Sequence, residues 1–288
     1  MKSLFNKQRF SIDEFRGILL ANYGEANTTI KWKASDMPDK FKMCTDDKKL
    51  KYWTDRDLEY RYNNYGFRSD DNFNKDDEGV VTLGCSFTEG IGLPIEYNWG
   101  YKVAKYLNLK HWNLGQGGMG LHTAYRLLLG ASQELNFKKV FLFTPPLYRK
   151  EYIIEDNKLL KDYFLSNKSN HMNILHSLGN DINSMLWFRF EDKKYEDFMK
   201  AWLYGSEKDT VIDQIRTLCA IKGLCSFLNV DLYYQSFYEY FTADANEKCN
   251  NIPDSECPDI PPRDDHWGAK KQHLIYKNFI NIYENNNR

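Results

Sequence analysis

From Val80 onward the chain alternates between two hydrophobic rhythms, and this alternation limits the fold more than any other feature. "GVVTLG" (79–84) and "KKVFLFTPP" (138–146) are short apolar runs that stop on Gly or Pro. A briefer run opens "KHWNLGQGGMG" (110–120), and "VDLYYQSF" (230–237) supplies a fourth. Runs this short and continuous suit strands buried on both faces of a parallel sheet. Between them lie stretches with helical spacing. In "NWGYKVAKYLN" the apolar side is Trp99, Val103, Tyr106 and Leu107. In "LHTAYRLLLGASQELN" it is Leu121, Ala124, Leu128, Ala131 and Leu135. "TVIDQIRTLCAIKGLCSFLN" and the closing "AKKQHLIYKNFINIYEN" are two further helices. Alternating strands and helices predict an α/β fold, a parallel sheet covered on both faces.

Two regions fall outside this rhythm. Residues 1–78 are polar and irregular and read as an N-terminal extension packing on the core. Within it, "SIDEFRGILLANYG" is a candidate short helix and "YRYNNYGFRSDD" a strand and turn. The main domain then spans 79–288, with an insertion at about 148–210 of irregular and helical pieces. Its Trp187, Phe188, Phe190, Trp202 and Tyr204 either pack on one another or offer a platform for a sugar ring or acyl chain.

Composition narrows the partners. The 288 residues carry 39 Lys+Arg against 40 Asp+Glu, a balance that asks for neither nucleic acid nor an anionic membrane. No run approaches the about 18 apolar residues of a membrane span. The N-terminus lacks a signal-peptide apolar segment, so a cytoplasmic location is expected. The Lys-, Asn- and Tyr-rich usage suggests an AT-rich genome, bacterial or phage. The six cysteines show no zinc spacing and read as reduced thiols, although "CNNIPDSEC" (249–257) would allow a loop disulfide. No metal or cofactor is expected. Oligomeric state is not legible.

In parallel sheets, ligands gather at the carboxyl ends of the strands, and the residues there have chemistry. Ser86 follows the first strand in "GCSFT", as a helix-turn Ser or as a nucleophile. His266, in "PPRDDHWGAKKQH" ahead of the last helix, is either a surface His or a general base. Asp264, two residues before it, is placed to accept from the ring N–H and fix the tautomer. Asp265 needs no role, and His273 reads as structural. In "NLGQGG", Gly118 lets a carbonyl approach its N–H closely.

Taken together, "GCSFT", "NLGQGG" and "RDDHWG" resemble the blocks of the SGNH, or GDSL, hydrolase family. "YNNYGFRSD" also resembles segments found in such chains. The resemblance implies a three-layer flavodoxin-like fold and cleavage of an ester, an acyl or acetyl group carried by a small molecule, lipid or glycan. It implies Ser86 as nucleophile, His266 as base, Asp264 as its partner, and the N–H groups of Ser86 and Gly118 as oxyanion donors. Transfer of the acyl group to a sugar hydroxyl, or binding without catalysis, are the alternatives.

Three departures stand out. The family's first-block Asp is Cys85, and the last pair is spaced D-x-H rather than D-x-x-H. The third-block Asn is missing: Leu147 stands near its position and donates nothing, while a "GND" at 179–181 lacks a preceding strand. Tyr148 and Arg149 are the candidates to contact substrate or oxyanion instead, with a surface ion pair to Glu151 as the plainer reading of Arg149.

Overall fold

The computed structural model describes residues 19–20, 26–31, 58–147, 149, 151–154, 173–176, 207–237, 256–257 and 266–288. Its centre is a four-stranded parallel sheet of β3 (Glu78–Leu83), β4 (Lys110–Asn113), β5 (Asn136–Thr144) and β8 (Asp231–Ser236), in the order β4-β3-β5-β8. Four helices connect or follow these strands: α2 (Trp99–Tyr106), α3 (Leu121–Glu134), α4 (Glu207–Leu228) and α5 (Ala269–Asn286). A one-turn helix, α1 (Ser86–Glu89), leaves β3.

Strand side chains alternate, so neighbouring residues enter different layers. Val81, Leu83, Val140 and Leu142 pack with Leu127, Leu128 and Ala131 of α3 and Ile221 and Leu224 of α4. Val80, Phe141 and Phe143 pack with Trp99 and Val103 of α2 and Ile275 and Phe279 of α5. The sheet is therefore sandwiched between two helix layers, as the rhythm predicted. Each fully buried aliphatic or Phe side chain contributes about 1.5–3 kcal/mol.

Described parts of 1–78 pack on this body. β1 (Thr29–Ile30) pairs antiparallel with β2 (Tyr60–Arg61). Leu58, Tyr60 and Tyr62 join Ile91, Leu93 and Ala269 in a separate apolar cluster. The Arg126 guanidinium of α3 donates to the Leu19 carbonyl at 2.9 Å. The structure corrects the reading of the insertion. Residues 151–154 and 173–176 form an antiparallel strand pair, β6 and β7, where irregular and helical pieces were expected. The pairing joins segments far apart in sequence, which a local periodicity does not register. The insertion's aromatics (187–204), the "GND" and Cys249 lie outside the described residues, as does most of 11–24; Cys257 is buried. No described helix is long and apolar enough to cross a membrane.

His111 on β4 is buried, with Nε2 2.9 Å from the Thr82 hydroxyl. Burial pushes its pKa down to about 3, and nearby Asp71 opposes this only in part. The ring stays neutral in the fold while the unfolded chain protonates it near pH 6.5. The unfolded state thus binds the extra proton, and stability falls as pH drops from about 6.5 towards 3, by up to about 1.4 kcal/mol per pH unit. Urea midpoints measured across that window should show this acid limb, and His111→Gln should flatten the limb whatever its effect at neutral pH.

Candidate active site

Ser86 sits where β3 ends. Gly84 makes the turn at φ +152°, and a Cβ there would collide with the Phe143 carbonyl at 2.7 Å and with the Thr88 side chain. Only Gly lets the chain leave the sheet this tightly. Cys85 follows in extended conformation as the helix N-cap, with no side-chain cap bond. Its side chain is fully buried. Ser86 then opens α1 and is 8% exposed. Its hydroxyl and N–H make no hydrogen bond to any described residue, the His266 ring included.

The loop after β4 lies directly against α1. Gly115 presses on the Thr88–Glu89 backbone, where a Cβ would come within 2.6 Å of the Glu89 nitrogen. Along this loop the amides are taken up in turn. Leu114 N–H goes to the Thr82 carbonyl (2.9 Å), Gly115 N–H to Asn113 Oδ1 (3.0 Å), and Gln116 N–H to the Gly84 carbonyl (3.1 Å). Gly117 N–H goes to Glu89 Oε2 (2.8 Å), and Met119 N–H to the Gln116 carbonyl (3.2 Å). Gly118, buried and at φ +76°, is the exception: its N–H has no acceptor among the described residues. Buried backbone N–H groups are nearly always paired, so this one is a donor in want of an acceptor.

His266 is half-buried beside Phe87, the residue after Ser86, with ring centroids 5.1 Å apart. Trp267 explains why. It stacks on Phe87 (4.1 Å) and on Phe237 just past β8 (5.3 Å), and meets Phe143 near the end of β5 edge-on (6.0 Å). This aromatic group fastens the segment before α5 to the carboxyl edge of the sheet. Gln272 on α5 adds polar links: Nε2 donates to the Phe87 carbonyl (3.0 Å) and Oε1 accepts the Trp99 N–H (3.1 Å). Ser86 at the start of α1, and Gly118 and His266 on loops, therefore lie at one edge of the sheet. Asp264, Asp265 and Tyr148 lie outside the described residues.

Arg149 is buried, not a surface residue, and its backbone carbonyl lies against Gly120, two residues past Gly118. Glu151 is held bidentately by Arg126, at 2.7 Å for each bond. Leu147 is followed by no third-block Asn. His273 is buried on α5, with Nδ1 3.4 Å from the Lys102 ammonium; burial, then Lys102 and Lys277, push its pKa down. Cavities of about 580 and 440 Å³ open elsewhere, by His111 and by His273. Among the described residues no three His, Cys, Asp or Glu side chains gather as a metal would require.

Sequence reasoning passed over Glu89, Arg68 and Gln272. Glu89 is buried and also accepts the Tyr62 hydroxyl at 3.4 Å. Arg68 is buried over the Tyr60 ring and donates to the carbonyls of Gly90 and, at 2.7 Å, Leu93. The only sequence hint was "YNNYGFRSD", noted for its resemblance without a role for Arg68.

In comparisons with known proteins, no family model matches the chain and no curated protein matches it.

Removing Gln272 leaves the buried Trp99 N–H without its acceptor and takes from the Phe87 carbonyl the shorter of its two hydrogen bonds, the other coming from Asn98 Nδ2 at 3.4 Å. Gln272→Ala should lower unfolding free energy by about 1–3 kcal/mol in urea titration, with the loss concentrated, by hydrogen exchange, at the start of α2 and around Phe87.

Proposed function

We propose that this chain is a serine esterase or deacylase of the SGNH type, on a three-layer flavodoxin-like scaffold. The observation that supports it most is the unused Gly118 N–H, the one unclaimed amide in a run from Leu114 to Met119. The Ser86 N–H, equally unclaimed, lies on α1, which packs against that loop. Two such donors meet the need of an oxyanion that forms only in the transition state.

In this reading the Ser86 oxygen attacks the ester carbonyl carbon and its proton passes to the His266 ring. The carbonyl π-electrons move onto oxygen, where the Gly118 and Ser86 N–H groups receive the charge. Collapse expels the alcohol, which takes the proton from His266, and an acyl-enzyme remains. Water then repeats the sequence, releasing the carboxylic acid and free Ser86. Asp264 orients His266. The Ser86–His266 hydrogen bond forms with substrate, as catalytic contacts often tighten only in the complex. Arg149, buried beside Gly120, is the candidate to meet the oxyanion with a cation where the third-block Asn would have offered a neutral N–H donor. The substrate is a small-molecule or glycan ester. The same acyl-enzyme, met by a sugar hydroxyl in place of water, makes an acyltransferase.

Two observations favour a non-catalytic binding protein: Ser86 and His266 share no hydrogen bond, and the third-block Asn is absent from the sequence. A fluorophosphonate probe decides between the two. The wild type should be labelled on Ser86 and should hydrolyse p-nitrophenyl acetate. Ser86→Ala should lose the label and more than about a thousandfold of the turnover at an unchanged melting temperature. An unlabelled, inert wild type would favour the binding protein.

A further inference from the structure

We propose that Glu89 is a positioning residue for the oxyanion donor, holding the glycine loop from the helix that carries Ser86. The inference rests on the esterase reading above.

Glu89 and Ser86 stand on the same one-turn helix, three residues apart, and the Glu89 side chain is 1% exposed. Burying a carboxylate is costly unless hydrogen bonds compensate it. Here Oε2 receives the Gly117 N–H at 2.8 Å and Oε1 receives the Tyr62 hydroxyl at 3.4 Å. A charge-assisted bond is short and directional, roughly twice as strong as a neutral one. It fixes the Gly117 N–H, and Gly118 is the next residue. With Gln116 N–H on the Gly84 carbonyl (3.1 Å) and Met119 N–H on the Gln116 carbonyl (3.2 Å), Gly118 is bracketed by anchored amides while its own stays free. Two glycines in succession, one of them at positive φ, would otherwise leave this stretch without a preferred orientation. Glu89 thus ties the donor's position to the helix that bears the nucleophile, so both move as one unit. Cys85, fully buried and without a cap bond, does not perform this task.

Length and charge separate cleanly in two conservative variants. Glu89→Gln keeps the reach and offers a carbonyl oxygen to Gly117 N–H, while its amide N–H faces the Tyr62 oxygen. Glu89→Asp keeps the charge but withdraws the acceptor by one methylene. With p-nitrophenyl acetate, Glu89→Asp should lose on the order of a hundredfold in kcat, the scale of a 1 Å misplacement, with KM within about twofold. Glu89→Gln should retain kcat within about fivefold, because one neutral acceptor suffices to hold the loop. A boronic acid that forms a tetrahedral adduct on Ser86 should weaken in proportion to kcat in both variants. A merely structural carboxylate would instead show kcat tracking melting temperature, with adduct affinity unmoved. Wild-type kcat in Glu89→Asp, or that structural pattern, overturns the role of Glu89 and leaves the esterase reading standing. A wild type that neither turns over ester nor binds the boronic acid overturns both.

Discussion

A helix of one turn cannot hold itself together, and the arrangement at the sheet edge depends on how α1 is held from outside. Helix nucleation is unfavourable, and four residues gain too few internal bonds to repay it. α1 persists because side chains from three distant segments take the carbonyls it leaves open. Gln272 of α5 binds the Phe87 carbonyl at 3.0 Å. Asn98 before α2 binds the Thr88 carbonyl at 2.8 Å, and its Oδ1 caps α2 through the amides of Gly100 and Tyr101. Arg68 from the N-terminal region donates to the Glu89 carbonyl at 3.4 Å and, just past the helix, to the Gly90 and Leu93 carbonyls. Each is buried, so each bond is made without competing water.

This arrangement gives the N-terminal region a reason to be there. Arg68 lies at the end of a turn organised by Asn63, whose Oδ1 accepts the Tyr65 and Phe67 amides. The Tyr60 ring lies under its guanidinium, and Ser69 binds the His111 carbonyl of β4. Asn113, last residue of β4 before the glycine loop, donates to the Arg68 carbonyl. One short stretch therefore braces α1, β4 and the loop that carries Gly118. It is an integral support of the sheet edge, not an appendage.

The apolar layers and the polar edge divide the labour. Val, Leu, Phe and Trp side chains above and below the sheet fix the strand order and the helix positions. They leave the loop geometry undetermined, because hydrophobic burial is not directional. Direction comes from hydrogen bonds, and the buried ones concentrate around α1. The Phe87–Trp267–Phe237 stack is the exception, an apolar contact that gives the His266 segment its place.

Ser86, Gly118 and His266 stood out in the sequence as candidates because each sits beside a local signal: a Gly after an apolar run, a Gly-rich stop, a His ahead of a helix. Glu89 was not legible. Three residues into a helix a Glu reads as solvated, and its burial comes from Tyr62 and Gly117, 27 and 28 residues away. The burial of Arg149 was hidden for the same reason, since its place beside Gly120 is set by a neighbour on another segment. The β6–β7 pair, too, exists only through a partner distant in sequence. The chain by itself determined the strands of the parallel sheet and the helices between them, because hydrophobic period and turn chemistry are local properties. Only the tertiary structure decided which loops meet and which amide stays unclaimed, because those depend on contacts that no window of sequence contains.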